Sequence, residues 1–247
     1  MYFFALRSEV PDGVGFQAFG PVHLIWLVVI ALFVVLTLHF LRGRERVQRI
    51  AALATAILAV SLVVGLEFYF YLRGELNMRT LPLQLCESAP FLLLLFYFTG
   101  WDWLGQTLYC LCLPGAVAAL LFPAWTVFPQ WNLINLQSFL LHALLILGPL
   151  LEVQRRALRP DIRHLWKVWV FLAAVVPCIY LIDRRFGANY FFLNAGSPGS
   201  PLEWLIQRMG NPGFLLGYAG IVLAVNVVMY GLYALRARRN SSRMGLY

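Results

Sequence analysis

The chain has 247 residues, of which 61% are hydrophobic and only 12% are charged. Charged residues make up about 25% of a typical soluble domain, so this composition excludes a soluble globular protein. A net charge of +8 is often a sign of nucleic-acid binding. Here, however, the basic residues lie in short segments between apolar runs, as they do in membrane proteins. We therefore expect a membrane protein that does not bind nucleic acid.

Seven stretches nearly free of charge are each long enough, at about 20 residues, to cross a hydrocarbon core of roughly 30 Å. They predict an all-α fold, a polytopic bundle of seven transmembrane helices that occupies residues 1–247 as one membrane domain. The predicted spans are 21–41, 48–72, 82–99, 103–122, 136–152, 165–183 and 212–235. A seven-helix retinal protein is disfavoured, because the only lysine, Lys167, lies outside the seventh span.

The basic residues divide unevenly between the two sides of the predicted bundle. Thirteen of the nineteen lie at 42–49, 155–167 and 236–243, which the seven spans place on one side. Basic loops are retained in the cytoplasm. This asymmetry therefore predicts an N-terminus outside the cell and a cytoplasmic C-terminus.

The longest outer loop, 184–211, has a helix signal of its own. The segment SPLE at 200–203 fits a capping box with proline at the first helical position, and Gly210 supplies a stop. We expect a short amphipathic helix lying at the membrane interface. Its role is left open between a lid over an outward-facing site and a simple tether.

Several polar side chains are predicted at one depth near the outer side of the bundle. They lie near the outer ends of the second, third and fifth spans: Glu67, Cys86, Glu87 and His142. At 1.5 Å per residue these groups lie roughly 6–9 Å below the outer boundary, and His23 lies just above them. Ionisable groups inside a span are costly, so their coincidence indicates a functional site.

The residue types match the needs of nucleophilic catalysis. A thiol must lie beside an imidazole that accepts its proton, and a third polar group must orient the imidazole. Cys86 and His142 are the candidate nucleophile and base. Because Cys86 and Glu87 point about 100° apart on a helix, Glu67 is the preferred orienting group. The competing interpretation is that Cys86 packs as a small hydrophobic residue and the polar groups satisfy one another.

Further polar residues extend this candidate site. Asn135, Ser138 and His142 fall at i, i+3 and i+7, which places them on one helical stripe that faces the bundle interior. Gln84 shares a helical face with Glu87. These side chains are candidates for contacts to a bound substrate.

The other cysteines carry a weaker signal. They are interpreted as packing residues: Cys110, Cys112 and Cys178. The first two point about 160° apart on an α-helix, which is not a metal or redox spacing. Because the sequence also has no glycine-rich phosphate loop, we expect neither a metal site nor a soluble cofactor.

Four segments match a known sequence pattern: LPLQLCESAP (81–90), YCLCLPGAVAALLFPAW (109–125), SFLLHALLIL (138–147) and NYFFLNAGSPGSPLEWL (189–205). In this order they resemble the YwaF-like integral membrane proteins. That family is related to transmembrane protein 164, a cysteine-dependent acyltransferase of phospholipids. The resemblance covers nearly the whole chain.

The resemblance implies a reaction and roles for individual residues. Cys86 matches the acyl-accepting cysteine, His142 its general base, and His23 a family histidine without an assigned step. The implied reaction transfers a fatty acyl chain between membrane phospholipids through a thioester, without a soluble cofactor. The implied location is the bacterial cytoplasmic (inner) membrane. The predicted substrate-binding residues are His23, Gln84, Glu87, Asn135, Ser138, Asn189 and Tyr190.

Two other functions remain open from the sequence. The same polar cluster suits a lipid or small-solute binding or transport protein without catalysis. Alternatively, the NYxFL loop and the interfacial helix would serve an interaction module for another membrane protein. The sequence names no protein partner.

Overall fold

The computed structural model describes residues 2–243, with side chains described for residues 2–236. Within this range every regular element is helical. The helices are α1 Pro21–Leu41, α2 Glu45–Leu72, α3 Leu85–Thr99, α4 Asp102–Thr107, a π-helix Leu108–Cys112, α5 Leu113–Leu121, α6 Leu133–Gln154, α7 Leu165–Phe186, α8 Pro201–Met209 and α9 Phe214–Arg243. Single 3₁₀ turns lie at Arg7–Glu9, Ile162–His164 and Tyr190–Phe192.

Six helical runs in the described range are long and apolar enough to cross a membrane, with α4, the π-helix and α5 counted as one run. The prediction of an all-α membrane protein is therefore confirmed, and α1 has the predicted bounds. The predicted span 82–99 is instead an apolar helix of 15 residues, α3. It is shorter than the roughly 17–25 residues of a typical span because the chain is not yet helical before Gln84.

The connections meet at two opposite ends of the bundle. Hydrogen bonds from Gln84 to Asn189 and from Ser197 to Phe122 bring the start of α3 and the end of α5 to the 187–213 loop. We call this the loop end. The opposite end holds the arginine-rich segments 42–49 and 155–167, and we call it the arginine end.

Helix α6 is the central element and packs against α1, α2, α3 and α5. Phe139, Leu145 and Leu151 of α6 are almost completely buried. By contrast, α1, α7 and α9 carry rows of exposed apolar side chains, as Ile25 and Leu216 illustrate. Apolar faces of this kind are satisfied by contact with lipid chains.

Helices α3 and α6 run in the same direction, and a glycine sets their register. A Cβ atom on Gly148 would lie 2.4 Å from Cδ2 of Leu93, so the leucine fills the space that the glycine leaves. Leu93 and Gly148 therefore lie at one level along the bundle. This register positions the start of α3 relative to α6.

The π-helix Leu108–Cys112 interrupts the run from α4 to α5. Pro114 follows it and has no backbone N–H, so an α-helical hydrogen bond to the carbonyl of Cys110 cannot form. Short π-helical turns are frequent at functional sites. The sequence predicted one unbroken helix over 103–122.

The N-terminal segment covers half of the loop end. The side chain of Asn132 donates to the carbonyls of Tyr2 and Ala5 at 2.8 and 2.9 Å. Phe16 N–H donates to the carbonyl of Thr126 at 2.9 Å. These bonds hold the segment across the start of α6.

The 187–213 loop covers the other half and contains the predicted short helix, α8. Ser200 caps it by accepting a hydrogen bond from Glu203 N–H, and Gly210 ends it with φ of 67°. Leu205 is buried, and its side chain packs where a Cβ on Gly217 of α9 would lie. The prediction of a capped helix in this loop is therefore confirmed.

Candidate functional site

An apolar cavity of about 230 Å³ lies beneath the 187–213 loop. Its walls are the start of α3, the π-helix with α5, the loop itself and α9. Three cysteines contribute to the lining, and its other polar side chains are Gln84, Ser197, Ser200 and Tyr218. A mainly apolar space of this kind suits a hydrocarbon chain.

Cys86 lies on the cavity wall at the second residue of α3. The helix begins there because Gln84 adopts an extended conformation and its N–H donates to Oε2 of Glu87 at 3.2 Å. The sulfur of Cys86 lies against the backbone N–H groups of Cys86 and Glu87. The N–H of Glu87 already donates to the carbonyl of Gln84 at 3.0 Å, whereas N–H groups of a first helical turn that lack a partner favour negative charge beside them. Cys86 therefore lies at a helix N-terminus that forms part of the cavity wall.

Cys110 and Cys112 line the same cavity as Cys86, although their sequence pattern predicted only packing roles. They belong to the π-helix and both line the cavity, although residues two apart point about 160° apart on a helical wheel. Cys178 is exposed on α7. Among the residues that the structure describes, no three His, Cys, Asp or Glu side chains are grouped to hold a metal.

His142 is buried in α6 and has one free ring nitrogen. Its Nδ1–H donates to the carbonyl of Ser138 at 2.7 Å, since a carbonyl only accepts. The lone pair is therefore on Nε2, a buried atom without a hydrogen-bond partner. The ring stacks on Trp125 with centroids 4.9 Å apart. A neutral imidazole fixed in this tautomer can accept a proton at Nε2.

The helix register supports the predicted common level of Cys86 and His142. Six residues toward the loop end from Leu93 and Gly148 are Glu87 and His142, so the imidazole lies level with the first turn of α3. His142 does not line the cavity, however. Within residues 2–236, the polar contacts include no hydrogen bond from His142 to Cys86.

A backbone carbonyl, and not the predicted Glu67, orients the imidazole of His142 in this structure. The carbonyl of Ser138 fixes the imidazole of His142, whereas Oε2 of Glu67 is buried without a partner. Glu67 of α2 lies close enough to Glu87 and Tyr190 to interact with both electrostatically. The structure therefore groups Glu67 with Glu87 rather than with His142.

Tyr190 completes this acidic group from the loop. Its hydroxyl donates to the carbonyl of Met78 at 2.9 Å, and its N–H donates to Oδ1 of Asp183. Burial, together with the nearby carboxyl groups of Glu87 and Glu67, raises the pKa of Tyr190 to about 12. Tyr190 is therefore a neutral hydrogen-bonding group at physiological pH.

Gln84 and Asn189 use their polar atoms to hold the loop. The Gln84 side chain donates to the carbonyl of Asn189 at 3.0 Å and accepts from Phe191 N–H at 2.8 Å. The Asn189 side chain accepts from the N–H groups of Asn194 and Ala195. Both predicted substrate-binding residues thus shape the cavity roof through the backbone.

That roof is strained. Phe191 and Phe192, which both line the cavity, have φ of 53° and 56°, in the left-handed region that bulky residues avoid. Each such residue costs of order 1–3 kcal/mol, and residues of this kind cluster at functional sites. The hydrogen bond from Gln84 helps to hold this conformation. No signal in the sequence identifies it.

Residues 18–230 of the chain match the TMEM164 family. The chain belongs to this family. The matched range includes Cys86, His142 and every residue that lines the cavity. No curated protein and no solved structure matches the chain.

In this member of the TMEM164 family, the remaining predicted residues lie on α1 and α6. His23 is fully buried: Nδ1 accepts from Phe19 N–H at 2.8 Å, and Nε2 is 2.7 Å from the carbonyl of Leu120. This second bond ties α1 to the end of α5. Asn135 donates to the carbonyl of Gln130, and its Oδ1 is buried without a partner. Neither His23 nor Asn135 lines the cavity.

Proposed function

We propose that this protein transfers a fatty acyl chain between membrane phospholipids through a thioester on Cys86. The proposal rests on the position of Cys86, which lines an apolar cavity from the first turn of a helix. An acyl chain held in the cavity would bring its ester carbonyl to the thiol. The resemblance to a cysteine-dependent phospholipid acyltransferase supports the same reaction.

In the first half of the reaction, the Cys86 thiol is proposed to lose its proton to Nε2 of His142, which requires the imidazole to approach the cavity when the lipid binds. The sulfur forms a bond to the ester carbonyl carbon of the donor lipid, and the bond from that carbon to the glycerol oxygen breaks. The leaving lysophospholipid oxygen takes the proton from His142. The N–H of Cys86, at the start of α3, is proposed to stabilise the negative charge that develops during attack.

The second half reverses these steps with another lipid. A hydroxyl group of the acceptor lysolipid gives its proton to His142, and its oxygen bonds to the thioester carbonyl carbon. The carbon–sulfur bond breaks, and the sulfur of Cys86 recovers the proton. The cycle is balanced without a soluble cofactor.

The polar groups at the loop end support contact with the glycerol and headgroup region of the lipid. Glu67, Glu87 and Tyr190 are proposed to hydrogen-bond the substrate there. His23, Asn135 and Ser138 are proposed to act with them from α1 and α6, and Gln84 and Asn189 to contribute through the cavity roof. The concentration of basic residues at the arginine end supports a cytoplasmic position for that end. The loop end would then lie on the outer side of a bacterial inner membrane.

Intact-protein mass spectrometry tests the proposal after incubation with phospholipid vesicles. We expect an added acyl mass that hydroxylamine removes in the wild type and in Cys112→Ala, which loses another cavity thiol. We expect none in Cys86→Ala. Equal labelling of Cys86→Ala, or no adduct in the wild type with or without lysolipid, would refute the proposal. Stabilisation by phospholipid that survives Cys86→Ser without an adduct would instead identify a lipid-binding or transport protein.

A further inference from the structure

The main packing partners of α9, the π-helix and α8, lie toward opposite ends of the cavity. Toward the arginine end, α9 packs against the π-helix, and the hydroxyl of Tyr109 donates to the carbonyl of Met229 at 3.0 Å. Toward the loop end, α9 packs against α8 through Leu205 and Gly217. Between these contacts, α5 and α9 form facing walls of the cavity, and α5 packs on α6 instead.

Residues on these facing walls are also exposed at the surface. Ala118 of α5 lines the cavity and is exposed. On α9, Ile221 and Val225 line the cavity and are 37% and 36% exposed. Side chains that line a cavity and are more than a third exposed are expected where the cavity opens. Because α5 and α9 belong to candidate membrane spans, this opening faces the lipid chains.

The 187–213 loop covers the cavity on the side of the loop end. Phe191 and Phe192 form part of the cavity lining from the loop side. The hydroxyl of Ser197 donates to the carbonyl of Phe122 at 2.8 Å, which ties the loop to the end of α5. The cavity is thus covered toward the loop end and open on its flank.

The volume of the cavity limits how much of a chain it can hold. An apolar cavity of about 150 Å³ holds the six carbons of benzene. On that scale, about 230 Å³ accommodates roughly nine carbons of a chain. This is about half of a common membrane acyl chain of 16 or 18 carbons.

From these observations we infer that an acyl chain enters from the bilayer between α5 and α9, and that only its carboxyl-proximal half lies in the cavity. The inference rests on the proposed function, because it takes the occupant to be the acyl chain that Cys86 accepts. The distal half remains among the bilayer lipids. The protein therefore distinguishes chains by structure within about the first nine carbons, and Ala118 and Ile221 set the width of the entrance.

Photocrosslinking in lipid nanodiscs tests this inference without requiring catalysis. The probes are palmitic acids with a diazirine at carbon 6 or at carbon 15, and the crosslinked residues are mapped by mass spectrometry. We expect the carbon-6 probe to label Ala118, Ile221 and Val225, and the carbon-15 probe to label these residues at least fivefold less. Equal labelling by the two probes, or labelling confined to other surfaces, would overturn the inference.

Two entrance variants and a matched control complete the test. Ala118→Phe and Ile221→Trp narrow the opening from opposite sides, and each should reduce carbon-6 labelling at least fivefold. Val117→Phe adds the same ring at an exposed neighbour that does not line the cavity, so labelling should be unchanged. Thermal melting shows whether the entrance variants are folded. If both are folded and both label like the wild type, the inference is overturned.

The test of lateral entry can succeed or fail independently of the test of acyl transfer. Crosslinking is repeated in Cys86→Ser, which keeps the cavity but cannot form the thioester. Labelling that persists there, without any adduct in the wild type, would support lateral entry and refute acyl transfer. An adduct at Cys86 with crosslinks only outside α5 and α9 would support acyl transfer and refute lateral entry.

Discussion

Replacing Gly148 with alanine tests the register between α3 and α6. The added Cβ would lie 2.4 Å from Cδ2 of Leu93 and 3.4 Å from its Cδ1. Because carbon atoms pack best at about 3.5–4.0 Å, the leucine or one of the helices must move by about 1 Å. Helix α6 is enclosed by four neighbours, which limits that movement. Overpacking of this kind costs about 1–3 kcal/mol of folding free energy.

The assay is thermal denaturation of the purified variant in detergent. Each kcal/mol lost should lower the melting temperature by about 2–4 °C for a chain of this size. Gly220→Ala is the matched control, because its Cβ would meet nothing within 4 Å in another helix interior. In a Leu93→Ala background, Gly148→Ala should cost less stability than it does in the wild type, because the clashing side chain is absent. Equal melting of Gly148→Ala and Gly220→Ala would refute the register, and with it the common level of His142 and the first turn of α3.

Three further predictions concern the base, the cavity roof and the arginine end. His142→Ala should slow formation of the acyl adduct by about 10²-fold or more in protein that remains folded, and an unchanged rate would exclude a base role. Gln84→Leu removes the acceptor of Phe191 N–H and should cost about 1–3 kcal/mol, with faster hydrogen exchange at Phe191. Unchanged exchange would show that the amide does not hold the roof. Arg155→Ala leaves the buried carboxylate of Glu152 unpaired and should cost about 3–5 kcal/mol in denaturation, whereas melting like the wild type would contradict the buried pair.

Local signals in the sequence were sufficient for most of the helices. The apolar run of α1 has the bounds read from the sequence, because a proline starts it and charged residues follow it. The SPLE segment predicted α8 for a similar reason, since a serine cap and a glycine stop act over a few residues. Depth counting along the helices also placed Cys86 and His142 at a common level.

The details of the candidate site depend on tertiary contacts that no local pattern encodes. Cys110 and Cys112 both line the cavity, because the start of α3, the 187–213 loop and α9 pack around the π-helix and α5, and a helical wheel alone does not show this. The left-handed conformation of Phe191 is held in part by a hydrogen bond to Gln84, more than 100 residues away in the chain. The stacking of Trp125 on His142 likewise joins segments that share no sequence signal.

The most direct test of the central claim is a chase of the acyl group on Cys86. Wild-type protein is loaded from phospholipid vesicles, freed of donor and mixed with lysophospholipid, and its intact mass is followed with time. The account predicts that the hydroxylamine-sensitive acyl mass disappears as an equal amount of diacyl phospholipid appears. An acyl mass that persists after lysolipid is added, or a diacyl product formed equally by Cys86→Ala, would contradict it.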